Sequence, residues 1–165
     1  YRKAWLVKWL QKPQRIRPSG MFFANHTEVT DEGDVINESS LPNPAHVTLS
    51  KHHAQDSAAY LMTLTAKSDL MTQENYTPKK ISKRMGAMNF SKFKGCSSCH
   101  RDQPDFGGVS GPELYTAAER LQEHFLSSYI RNPQAWERKS LMPNRHLPDK
   151  EVYKLVDYLK LLEAK

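Results

Sequence analysis

The most constraining feature of this 165-residue chain is one pentapeptide, Cys96-Ser97-Ser98-Cys99-His100, which holds both of its cysteines. No disulfide framework is possible beyond that single pair. A structural zinc site takes four ligands, and no second cysteine pair exists to complete one. A thioredoxin-like dithiol belongs at the strand-to-helix junction of a βαβ unit, and little strand pattern surrounds these residues. A disulfide across four residues would constrain almost nothing. The reading that fits best is the C-x-x-C-H pattern of covalent haem attachment. Two thiols three positions apart lie on neighbouring turns of a helical segment and can add to both vinyl groups of one porphyrin. The next residue, His100, is then held under the iron. Covalent attachment also keeps a large apolar group on a chain that is only 38% hydrophobic, and a group bound only by the folded state stabilises it.

The flanks predict helices. Residues 85–93 read as a short helix leading into Gly95-Cys96, with Gly86 and Phe90 four apart on one face. Gly107, Gly108, Gly111 and Pro112 signal a loop. Ala117, Leu121, Phe125 and Ile130 recur at near-helical spacing, and Asn132-Pro133 ends that run. A second loop holds Leu141-Met142-Pro143-Asn144. Pro148-Asp149 then opens a final helix with Val152, Leu155, Val156, Leu159 and Leu162 on one face. No strand is expected in this part of the chain.

In this order and spacing, residues 82–165 resemble a class I cytochrome c domain. The matching pieces are Gly86 and Phe90 before Cys96-x-x-Cys99-His100, Gly111-Pro112-Glu113-Leu114, Arg131-Asn132-Pro133-Gln134, Leu141-Met142-Pro143-Asn144 and Leu155-Val156-Asp157-Tyr158-Leu159. The resemblance implies that Cys96 and Cys99 carry haem c and that His100 and Met142 are its axial ligands. It implies that the Pro112 carbonyl fixes the His100 ring, as outer partners of metal ligands do. It implies that Gly86 lets the first and last helices cross closely, with Phe90 near Tyr158, and that Trp136 walls the haem pocket. His124 and His146 are the alternative sixth ligands.

A partial repeat precedes this block. Trp9-Leu10-Gln11-Lys12-Pro13-Gln14 aligns with Tyr129-Ile130-Arg131-Asn132-Pro133-Gln134, and Ala58-Ala59-Tyr60-Leu61-Met62-Thr63-Leu64 aligns with residues 156–162. Met21 occupies a place similar to that of Met142. Residues 1–66 therefore resemble the back half of another such domain, with a polar insertion at about 22–49. Either an upstream segment carries a second haem that Met21 ligates, or the first domain is degenerate and holds none. An amphipathic helix matching by chance is the remaining alternative. The polar stretch 67–81 reads as a linker. The fold expected is thus all-α: a cytochrome c-like helical domain around a covalent haem, preceded by a partial or degenerate one. His26, His46, His52 and His53 in and near the insertion read as surface residues.

The net charge of +6 is unevenly placed. Residues 1–20 hold six Lys or Arg and no acid, residues 28–38 hold five acids and no base, and residues 79–94 are basic again. No nucleic-acid-binding motif accompanies the charge, so steering towards an acidic face of a redox protein fits better. Lys92 and Lys94 flank the attachment site and would frame it for docking. No stretch of about twenty uncharged residues exists to span a membrane. The expected role is single-electron transfer through a His/Met-ligated haem, as a diheme-type carrier or as the cytochrome subunit of a larger respiratory complex, more than stand-alone catalysis. The rivals are a catalytic haem oxidoreductase, such as a peroxidase, and a docking subunit. Haem attachment of this kind implies an exported protein, periplasmic or equivalent.

Overall fold

The computed structural model describes residues 1–42, 46–65 and 67–162. Part of the expected insertion (residues 43–45) and the expected unit ends at 66 and 165 lie outside the described residues. In chain order the elements are helix α1 (Lys3–Gln11), strands β1 (Thr27–Thr30) and β2 (Gly33–Ile36), α2 (Lys51–Leu61), α3 (Ser68–Thr72), α4 (Lys83–Met88), β3 (Arg101–Gln103), β4 (Phe106–Gly107), α5 (Ala117–Arg120), α6 (Glu123–Arg131), α7 (Pro133–Trp136) and α8 (Asp149–Lys160). Helices dominate, as expected. The strands form two antiparallel two-stranded ribbons, β1–β2 and β3–β4. The second ribbon, just after His100, corrects the expectation of no strand there. It is only two to three residues long on each side, too short to leave a period-2 signal.

The larger core gathers Phe90, Ala117, Leu126, Leu155, Val156, Tyr158, Leu159 and Leu162. In α8, Val152, Leu155, Val156 and Leu159 fall at i, i+3, i+4 and i+7, so one face is buried against α4, α5 and α6. Ser82 caps α4 by accepting the Met85 amide. A π turn over Asn89–Phe93 then carries the chain towards Cys96. Gly86 meets the Tyr158 ring so closely that any added Cβ would collide with it, and Phe90 lies 5.7 Å from that ring, centroid to centroid. The Tyr158 hydroxyl donates to Asp102 at 2.5 Å, and both side chains are buried. Burial first, and then the Asp102 carboxylate, push the Tyr158 phenol well above its ordinary range.

The smaller core joins α1 to α2 through Leu6, Leu10, Ala54 and Ala58, flanked by Trp5, Trp9 and Leu49. The small Ala54 and Ala58 let α1 approach α2. Helices α1 and α6 both end two residues before a proline, and the residue between has nearly the same backbone in each. Lys12 sits at φ −143°, ψ 78°, and Asn132 at φ −149°, ψ 83°. The ring of a following proline disfavours the α region at these positions.

The helix expected over 117–130 is broken, because Leu121 takes an extended conformation between α5 and α6. The upstream chain binds at this break. The Arg2 amide donates to the Arg120 carbonyl at 2.7 Å, and the Arg2 guanidinium to the Leu121 carbonyl at 2.9 Å. The stretch 67–81, expected as a linker, contains α3 and lies bonded along α6 and α8. Ser128 donates to the Leu70 carbonyl, Tyr153 to the Asn75 carbonyl, and Arg131 makes two bonds to the buried Glu74 carboxylate. Polar composition there reflects paired hydrogen bonds as well as solvent.

Two substitutions test this packing by urea denaturation. Gly86→Ala forces the Tyr158 ring aside and should cost roughly 3 kcal/mol. Tyr158→Phe strands the buried Asp102 carboxylate, whose other oxygen already has no partner, and should cost roughly 1–3 kcal/mol. Because the folded phenol titrates above its unfolded value near 10, wild-type stability should fall as pH rises beyond about 10, and Tyr158→Phe should lack that component of the fall.

Candidate functional site

Gly95 takes a left-handed φ of 65°, which turns the chain out of the π turn and into the 3₁₀ turn Cys96–Ser98. The His100 amide donates to the Cys96 carbonyl at 3.1 Å, so the two thiols and the imidazole sit on one tight turn. Cys96 is half-buried and Cys99 exposed, and both are free thiols. Burial pushes the Cys96 thiol up to about 11, so it is held as the neutral S–H.

The following loop folds back over this turn. Gly108 donates to the Ser97 carbonyl, Gly111 to Cys99 and Leu114 to Arg101, each at 2.7 Å. The approach leaves no room for side chains. A Cβ on Gly111 would stand 2.5 Å from His100 Cε1 and 2.6 Å from Nδ1. The result is a hydrogen bond from His100 Nδ1 to the Pro112 carbonyl at 2.7 Å. That bond makes Nδ1 the protonated nitrogen and leaves Nε2 with the lone pair. Burial is the main reason His100 resists protonation; the Pro112 bond opposes this, and the Arg17 cation adds to it. A neutral, buried imidazole with a free Nε2 is the form that ligates iron.

Beyond the Pro112 carbonyl, the loop is held by Glu113. Its carboxylate accepts from the Thr116 amide and hydroxyl, and lies 3.2 Å from the buried Arg120 guanidinium, which also donates to the Glu113 carbonyl.

Met142 is half-buried on a separate loop. The Gln134 side-chain amide donates to the Met142 carbonyl at 2.8 Å and to the Ser140 carbonyl at 3.2 Å. The Met142 amide in turn donates to Ser140 Oγ. The Asn-Pro-Gln run thus ends α6 and also clamps the Met-bearing loop. Trp136 spends its N–H on Ser128 and meets the Phe125 ring edge-on at 4.7 Å. With Tyr129, these half-buried rings form an aromatic group beside that loop.

Of the other candidate ligands, Met21 is 61% exposed. His146 is exposed, with φ 48°, and His124 is exposed with its ring edge towards Tyr76. His26 bonds Ser40, His46 packs on Trp9, and His52 faces Asp56. Among the described residues no three His, Cys, Asp or Glu side chains converge, as a zinc site would need. Lys94 is tied to Glu151 at 3.4 Å, while Lys92 is exposed.

Sequence reasoning missed Ile16, Ser19, Asp102 and Arg120. Ile16 and Ser19 bond the loop around Pro112 from about ninety residues away, which no local pattern signals. Asp102 and Arg120 are charged residues whose burial shows only in their partners, Tyr158 and Glu113.

The donor set fits a covalently attached haem. It supplies two free thiols on one turn, an imidazole with Nε2 available, and apolar and aromatic side chains around the Met-bearing loop, including Leu141, which is 83% exposed. Residues 86–163 match the family model described as Cytochrome c. Neither the curated proteins nor the solved structures include a match to the chain.

The two thiols should differ in the haem-free chain. Brief treatment with iodoacetamide at about pH 8, read by peptide mass spectrometry, should alkylate the exposed Cys99 roughly tenfold faster than Cys96.

Proposed function

We propose, from the premise that residues 86–163 form a cytochrome c domain with covalently bound haem c, that this chain is a diheme-type electron carrier or the cytochrome subunit of a larger redox complex. Transfer of single electrons to and from redox partners follows from the domain itself. The finer reading assigns His100 and Met142 as axial ligands, Cys96 and Cys99 as the attachment thiols, Pro112 as the partner of His100, and Trp136 as a pocket wall. The observation that carries it is the His100 Nδ1–Pro112 bond, which presents Nε2 as a neutral donor.

When bound, the haem supplies a one-electron couple between ferric and ferrous iron. The chain's part is to hold that iron still. His100 is fixed by a carbonyl on a loop with no spare volume, and Met142 rides on a loop clamped at its own backbone by Gln134. Ligands that do not move on electron uptake keep the reorganisation small. A His/Met pair raises the potential, and burial tunes it further.

Residues 1–66 are proposed as the back half of a second such domain, with Met21 serving a second haem. Support comes from the matching ends of α1 and α6 and from the packing of α1 on α2. The basic surface that includes the exposed Lys92 would steer an acidic partner. An exported, periplasmic setting in a respiratory chain suits a haem attached in this way. No helix among the described residues is long and apolar enough to cross a membrane.

Intact mass of the protein from its native source tests the haem count. Two haem masses on a chain extending beyond these residues support the diheme reading, and a single haem supports a degenerate first half. For the ligand, Met142→Ala should abolish the Met-to-iron absorption band of the ferric protein and lower its potential. A band that persists excludes Met142.

A further inference from the structure

The upstream chain reaches the haem-side loop at two places, and they bracket Pro112. Ser19, fully buried, donates its hydroxyl to the Val109 carbonyl at 2.6 Å. The Glu113 amide donates to the Ile16 carbonyl at 2.9 Å. Residues 16–20 therefore lie as a strap across the loop, anchored three residues before Pro112 and one residue after it. Gly20 closes the strap with φ 73° and lies against the Leu41 side chain. On the opposite side the loop is already pinned to the Cys96–His100 turn. The Pro112 carbonyl is held between the two.

A buried hydroxyl bonded to a carbonyl so far away in sequence is costly to place and has no solvent role. We propose that this strap sets the reduction potential of the haem: Ser19 is a positioning residue that keeps the Pro112 carbonyl against His100 Nδ1. The inference rests on His100 ligating the iron. A firm Nδ1–H···O=C bond makes the imidazole a stronger electron donor at Nε2, which favours ferric iron and lowers the potential. Loosening the strap weakens that donation and raises it. Arg17 lies between the two anchors, and its guanidinium is 3.9 Å from the Glu137 carboxylate. Its positive charge acts in the other sense, disfavouring the more positive ferric state.

The test is a redox titration of the full haem-loaded chain as wild type, Ser19→Ala and Arg17→Gln, with hydrogen exchange followed at the Glu113 amide. Ser19→Ala removes one oxygen and leaves the volume nearly unchanged, so the fold should survive. Its ferrous-to-ferric ratio at a fixed potential should rise severalfold, and Glu113 exchange should quicken roughly tenfold, about what one lost hydrogen bond is worth. Arg17→Gln should move the ratio the opposite way and leave the exchange rate unchanged. General opening of the site to water would lower both potentials together. A Ser19→Ala potential that is unchanged or lowered in the haem-loaded protein overturns the inference alone. A wild-type chain whose intact mass carries no haem overturns the haem reading as well.

Discussion

The hydrogen bond between His100 Nδ1 and the Pro112 carbonyl organises the chemistry of this molecule. It decides which ring nitrogen carries the proton, and so which one keeps a lone pair to offer a metal. It can form only because the loop of residues 107–112 lies almost in contact with the Cys96–His100 turn, and that approach is possible only with glycine at 107, 108 and 111. The loop needs its own supports. Glu113, Thr116 and the buried Arg120 brace it downstream, and the β3–β4 ribbon joins its start to the residues after His100. The larger core then carries the whole arrangement through two contacts of one residue. Tyr158 touches Gly86 on the helix leading to the cysteines, and its hydroxyl bonds Asp102, two positions beyond His100.

The Met-bearing side is built differently. No close-packed glycine loop supports it. A single amide side chain, Gln134, bonds two carbonyls of the loop, those of Ser140 and Met142. Rigidity on the His100 side comes from excluded volume, and on the Met142 side from a hydrogen-bonded clamp.

Much of this was legible in the residues. The five-residue attachment pattern and the amphipathic face of α8 depend on near-neighbour spacing, which a sequence displays directly, whereas the Gly86–Phe90–Tyr158 crossing came from the resemblance. The Pro112 bond came only from the resemblance, because nothing in the spacing from 100 to 112 specifies a contact. Two features were misread for physical reasons. The apolar spacing from Ala117 to Ile130 ran unbroken, yet the backbone opens at Leu121, where carbonyls serve the upstream chain instead of a helix. The stretch 67–81 looked like a linker because it is polar, yet Glu74 and Tyr76 are spent on partners in α6 and α8. A hydrophobic pattern detects burial by apolar atoms and misses burial by paired polar ones.

The strap and the break at Leu121 also carry an entropic cost. Their bonds join positions 90 and 119 residues apart, among the longest sequence separations in the molecule. Closing such a loop costs more chain entropy than closing the local turns around Cys96 and His100. The attachment turn is closed by bonds from its own neighbourhood, while residues 2–19 reach their partners at 109–121 only by closing these long loops. Residues 16–20 thus lie as a latch across a turn whose own local bonds do not need them.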